Sequence, residues 1–242
     1  MEYIWIQTAF VSITCILLLI FARSKPETPP SRSASKVPVK FSFKDEFKNL
    51  IHNKNYVILA LIFGCLYSNT GAMSAVISSV TKPFGFKGAD NAIIGSVFII
   101  SGIFGSFLGG FILDKQPKFK RSVICISIIG LLFYGCLMLS LETSNLILVA
   151  TNFGLIGFTV VPILPISFAF AIELSYPVPD PMSNGMMLLL SKIYGAVLGI
   201  AAGFLSKQSA YYAILLFVVN ALISALCSFF VKEDLRRLKM TQ

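Results

Sequence analysis

Seven stretches of the chain are apolar almost without interruption. They run over Tyr3–Ala22, Tyr56–Val80, Ala92–Leu113, Ser122–Leu141, Leu146–Ile172, Ser183–Leu205 and Tyr211–Val231. Each approaches or exceeds the ~20 residues that a ~30 Å hydrocarbon core requires. None alternates polar and apolar positions as a barrel strand does. The pattern therefore predicts helices, which satisfy their own backbone groups in lipid. The expectation is an all-α integral membrane protein with about seven transmembrane helices. One helix occupies residues 1–22, a polar linker 23–55, a six-helix bundle 56–231 and a short tail 232–242.

Composition removes the alternatives. The 242 residues are 56% hydrophobic and 13% charged, with a mean hydropathy of +0.81. A soluble domain carries about 25% charged residues, so this chain has too little polar surface for a water-soluble body. Soluble enzymes, secreted disulfide scaffolds and disordered tails are excluded together. The net charge of +9 could suggest nucleic acid in a soluble protein. In a membrane protein it has a simpler origin, because basic residues collect in cytoplasmic loops. Residues 23–55, the loop after the third stretch and the tail hold sixteen of the twenty Lys and Arg. The opposite side holds three, Lys82, Lys87 and Lys207. The long loop and the carboxyl terminus are therefore expected in the cytoplasm, with the amino terminus on the other side. Glu2 precedes the first stretch and Arg23 and Lys25 follow it, the reverse of a signal peptide's charge order.

The linker divides in two. Residues 24–40 are rich in Ser, Pro and Lys, a composition that cannot bury a core. Over 41–55, Phe43, Phe47, Leu50 and Ile51 fall at helical spacing among Lys44, Lys48 and Lys54, which predicts an amphipathic helix at the membrane surface. Cys15, Cys65, Cys125, Cys136 and Cys227 lie inside apolar runs, and His52 is the one histidine. None has ligand spacing, so no metal, cofactor or nucleophile is expected.

Three motifs stand out. The third stretch ends in Gly105-x-x-x-Gly109-Gly110-x-x-x-Asp114-Lys115, small residues that let helices approach, followed by an acid and a base at the helix end. Gly195, Gly199 and Gly203 leave one side of the sixth stretch almost without side chains, suited to tight packing or to a surface between moving bundles. Pro162 and Pro165 interrupt the fifth stretch and predict a kink.

The Gly110–Asp114–Lys115 pattern resembles a loop signature of major facilitator transporters. Glu173-Leu-Ser-Tyr176-Pro177, with Gly157-Phe158 and Leu164-Pro165 before it and Ser183-Asn-Gly185 after it, resembles one subfamily of them. These are the feline leukaemia virus subgroup C receptor-related transporters, associated with haem, choline and related solutes. The resemblance runs from about residue 56 to 231. It implies the last helix of a first bundle followed by the second six-helix bundle of a twelve-helix transporter. The partners it implies are a small-molecule solute, the lipid bilayer and an amino-terminal helix bundle with no counterpart here. Nucleic acid is not among them. A truncated, non-transporting membrane subunit is the alternative.

Lys192 lies nine residues beyond Ser183, ~13–14 Å into the membrane. A Lys at that depth costs ~2.5–3.5 kcal/mol on insertion scales and should face water, a partner or a solute. Asn69, Ser74, Asn152 and Lys192 are the candidate cavity residues. In the resembling family the position of Lys192 is typically Gln, and aromatics stand where this chain has Met73 and Ser74. An aromatic cage attracts a quaternary ammonium through its ring faces. Losing an aromatic and gaining a cation both argue for a solute with an anionic or carbonyl group.

Overall fold

The computed structural model describes residues 2–21 and 42–234; the Ser/Pro-rich part of the linker and the end of the tail lie outside these. The chain divides into two units, one holding the first helix and one holding the bundle. The first unit contains α1 (Glu2–Phe21), which is apolar along its length.

The second unit opens with α2 (Phe43–His52), a short helix with Asp45 and Glu46 in its first turn and Leu50 as its one buried residue. The bundle follows as α3 (Lys54–Thr81), α4 (Gly88–Lys115), α5 (Phe119–Glu142), α6 (Leu146–Val160), α7 (Ile163–Ser175), α8 (Asp180–Gln208) and α9 (Ala210–Phe230). With α6 and α7 taken as one interrupted span, seven described stretches are long and apolar enough to cross a membrane. The protein is a multi-pass, all-α integral membrane protein.

Polar side chains mark where the helices start. Asn53 Oδ1 accepts from the Tyr56 amide, capping α3, while its Nδ2 donates to the Leu174 carbonyl at the end of α7 (2.7 Å). Asn145 Oδ1 accepts from the Ile147 amide at the start of α6, and Ser209 Oγ accepts from the Tyr211 amide at the start of α9. Each replaces a partner that the first turn of a helix lacks. Between α3 and α4 the chain turns through a 3-10 segment, Lys82–Phe84, and closes at Gly85 with φ +89°, a left-handed conformation that suits glycine.

Inside lipid, helices associate through close packing and hydrogen bonds rather than through expulsion of water. α3 is central, packed on α8 along one side and on α9 along another; α9 continues onto α5, and α5 onto α6. The Ser68 hydroxyl donates to the Ser191 carbonyl (2.6 Å), binding α3 to α8, and Ser224 Oγ donates to the Ile62 carbonyl (3.3 Å), binding α9 to α3.

The tightest glycine contacts join α4 to α6. A methyl group on Gly105 would collide with the Phe158 carbonyl oxygen, and one on Gly157 with the Phe98 carbonyl. At Gly102 the added carbon would stand 2.7 Å from Val161 Cγ2. The Ser101 hydroxyl crosses the same seam, 2.8 Å from the Gly154 carbonyl. By contrast Gly195 would come 3.3 Å from Ser68, Gly199 3.9 Å from Ala72, and Gly203 meets nothing within 4 Å. The glycine face of α8 is thus only partly a packing surface.

The kink expected within Leu146–Ile172 is a break between two helices. α6 ends at Val160 and α7 begins at Ile163, with Pro162 as its N-cap and Pro165 in its first turn. Neither proline has an amide hydrogen, so the carbonyls of Phe158 and Val161 lose their ordinary helical donors. Leu164 N serves Val161 by a tighter i to i+3 bond of 3.2 Å. The Phe158 carbonyl is the one that Gly105 approaches.

Candidate functional site

Lys192 sits twelve residues into the 29-residue α8, close to its middle. Its side chain is exposed, and Nζ lies 4.8 Å from the centroid of the Tyr67 ring on α3. Tyr67 in turn stacks on Phe63 at 4.9 Å and 12°, and Phe63 meets Phe168 of α7 at 5.9 Å. Three aromatic rings from α3 and α7 thus stand behind one ammonium group. A ring face attracts a cation within about 6 Å of its centroid. A ring face attracts the charge without supplying a hydrogen-bonding oxygen, so the ammonium still has N–H donors to satisfy.

Ser74 lies two turns further along α3, exposed, with its hydroxyl turned back onto the Gly71 carbonyl (2.7 Å). It also lines a small pocket of about 40 Å³ with Thr70, Gly95 and Phe98, where α3 and α4 stand apart. Met73 beside it is buried in the core. Ser74 and Lys192 therefore both open to the outside of the bundle.

Asn69 and Asn152, expected on the cavity face, are held inside the bundle instead. Asn69 is fully buried and donates from Nδ2 to the Phe217 carbonyl (3.0 Å), tying α3 to α9. Asn152 is 8% exposed and donates to Ser140 Oγ (3.2 Å), tying α6 to α5. The Oδ1 atom of each is buried without a partner among the described residues. The reason is rotation: an Asn in an almost wholly apolar helix goes wherever a neighbouring backbone or hydroxyl group can meet it.

At the end of α4, Gly110 faces open space and Asp114 is exposed. Lys115 folds back so that Nζ lies 4.3 Å from the Phe111 ring centroid. An acid at a helix C-terminus faces the negative end of the helix dipole, and among the described residues nothing pairs with Asp114. A shallow depression beside it is lined by Phe104, Phe107 and Phe111.

Glu173 is buried near the end of α7, Tyr176 is half-buried, and the Tyr176–Pro177 peptide is cis in the turn leading to α8. Beside that turn the Tyr56 hydroxyl donates to the Ser183 carbonyl (2.6 Å). The Glu173–Pro177 segment thus belongs to the junction of α3, α7 and α8 rather than to the face that carries Lys192. Sequence reasoning passed over Tyr67 as a partner for Lys192. Its signal was an aromatic pair four apart, Phe63 and Tyr67, which puts both rings on one side of a helix.

The sequence pattern of the Major Facilitator Superfamily matches residues 1–179. The chain is similar to choline/ethanolamine transporter FLVCR1 of Felis catus, at 27% identity over 95% of this chain and 42% of that protein. It is similar to choline/ethanolamine transporter flvcr2a of Danio rerio, at 29% over 97% and 52%. A third relative is choline/ethanolamine transporter FLVCR2 of Rattus norvegicus, at 30% over 92% and 42%. The chain spans about half the length of the curated relatives it matches.

Proposed function

Because the chain belongs to the major facilitator superfamily, we propose that it forms the carboxy-terminal part of a transporter for a small organic solute. The solute binds between this bundle and a second one, and crosses as the two rock against each other. Lys192 and Ser74 contact it. The relatives are transporters of choline and ethanolamine, which are cations, whereas here the aromatic face of Tyr67 is already taken by the Lys192 ammonium. An intrinsic cation repels a cationic solute and attracts a carboxylate, a phosphate ester or a carbonyl oxygen. The single observation that carries this reading is that contact on an exposed face near the middle of α8.

In the same reading Asp114 pairs with a helix end of the second bundle when the pathway closes on its side. Pro162 and Pro165 allow α7 to move relative to α6. Residues 23–55 and the carboxyl terminus lie in the cytoplasm, and the amino terminus on the opposite side. The protein is not an enzyme, and its chemistry is recognition and movement alone.

The test is uptake of labelled carboxylates, phosphate esters and quaternary amines by cells producing the chain together with the amino-terminal part of a relative. Saturable uptake of an anionic class, lost in Lys192→Met, is the expected result. Uptake of quaternary amines alone, unchanged in that variant, would overturn it.

A further inference from the structure

Where α2 crosses the start of α3, a cleft of about 330 Å³ opens between α2, α3 and α8. Its walls are almost wholly apolar, including Phe47 and Ile51 of α2, Gly64 and Cys65 of α3, and Leu190 and Tyr194 of α8. We propose that this cleft holds one acyl chain of an anionic phospholipid, whose phosphate group is held by Lys44 and Lys48.

Depth argues for an acyl chain. The cleft extends from Tyr56 to Cys65 along α3, and nine residues at ~1.5 Å each make ~13–14 Å. That is close to half of a ~30 Å hydrocarbon core, the depth of one leaflet. Space argues the same way: Gly64 lines the cleft, and a carbon added to it would meet nothing within 4 Å. At the end near Tyr194 the Tyr194 hydroxyl is already bonded, donating to Asn220 Oδ1 on α9.

Charge argues for an anionic headgroup. α2 anchors its apolar side on the bundle through Leu50, 1% exposed. Around the helix, at 100° per residue, Phe47 and Ile51 border the cleft and are followed by Lys44 and then Lys48. Both lysines are exposed. Leu50 also lines the cleft, at its buried edge, where Glu46 flanks it; Asp45 lies on the far side. The basic edge of α2 thus adjoins Ile51, the exposed side of the cleft, where the charge suits a phosphate at a membrane surface.

The experiment is photo-crosslinking of the full chain in phosphatidylcholine vesicles doped with phosphatidylglycerol carrying a diazirine on its acyl chain. The same lipid with a choline headgroup is the second probe. Labelling is expected on peptides containing Leu61–Cys65 and Leu190–Tyr194, stronger with the anionic probe. Gly64→Leu fills the cleft and should abolish that labelling. Lys44→Gln with Lys48→Gln should remove the preference between probes while leaving the labelled peptides the same. If Gly64→Leu reduces folded yield, the lysine pair decides alone. Labelling spread evenly over the bundle, labelling indifferent to both variants, or occupation of the cleft by a second copy or by α1 would each overturn the proposal.

Discussion

The Lys192 ammonium and the Tyr67 ring face each other at 4.8 Å across the seam between α8 and α3. An exposed contact of this kind contributes about 0.5–1 kcal/mol, too little to explain a lysine near the middle of a membrane helix. Lys192→Met should therefore leave the unfolding temperature of the detergent-solubilised chain unchanged or raise it. In the uptake assay it should abolish transport of anionic solutes, and Lys192→Gln should shift selectivity toward neutral or cationic ones. Marked destabilisation by Lys192→Met, with selectivity unchanged in Lys192→Gln, would assign the residue to a structural ion pair.

Gly105 and Gly157 make a second test. Each meets a backbone carbonyl of the opposite helix, so neither neighbour can rotate away. Overpacking of this kind costs about 1–3 kcal/mol. Gly105→Ala and Gly157→Ala should each lower stability by that order in reversible unfolding. Gly110→Ala, which adds a carbon in open space, should be neutral or slightly stabilising. Equal effects at all three positions would mean that α4 and α6 do not cross at these glycines.

How much of this was legible beforehand differs from residue to residue. The spans were readable because a run of about 20 apolar residues has few other uses. Pro162 and Pro165 announced an interruption through chemistry local to their own backbone. The partners of the glycines were not readable, since Gly105-x-x-x-Gly109 and Gly195-x-x-x-Gly199 look alike and only the packing of a distant helix separates them. Asn69 and Ser74 show the same difficulty at close range. They are five residues apart on α3, yet one is buried and one exposed. In a helix apolar all round, no polar stripe fixes which side turns inward.

The Asn69 amide supplies a third prediction. Its bond to the Phe217 carbonyl belongs to a class worth about 0.6 kcal/mol on average between membrane helices, and at most about 1.7. Asn69→Leu also removes the unpartnered Oδ1, so its cost should stay at or below that range. Asn69→Asp should be much more damaging, because a charge at the centre of a membrane helix costs about 2.5–3.5 kcal/mol on insertion scales. Unfolding titrations of the two variants in one detergent make the comparison.

Orientation can be read with thiols. In a background lacking the five native cysteines, Asn49→Cys on α2 should resist an impermeant maleimide in intact cells. Lys207→Cys at the far end of α8 should react. The reverse pattern would invert the assignment made from the basic residues.

Asn53 has a mechanical consequence. One side chain both starts α3 and grips the last turn of α7, so the two helices share a pivot where the chain enters the bundle. A pull or twist arriving through α2 is divided there. A displacement of Asn53 thus moves the first turn of α3 and the last turn of α7 together, and Asn53→Ala would leave the two helices joined by packing such as Phe63 against Phe168.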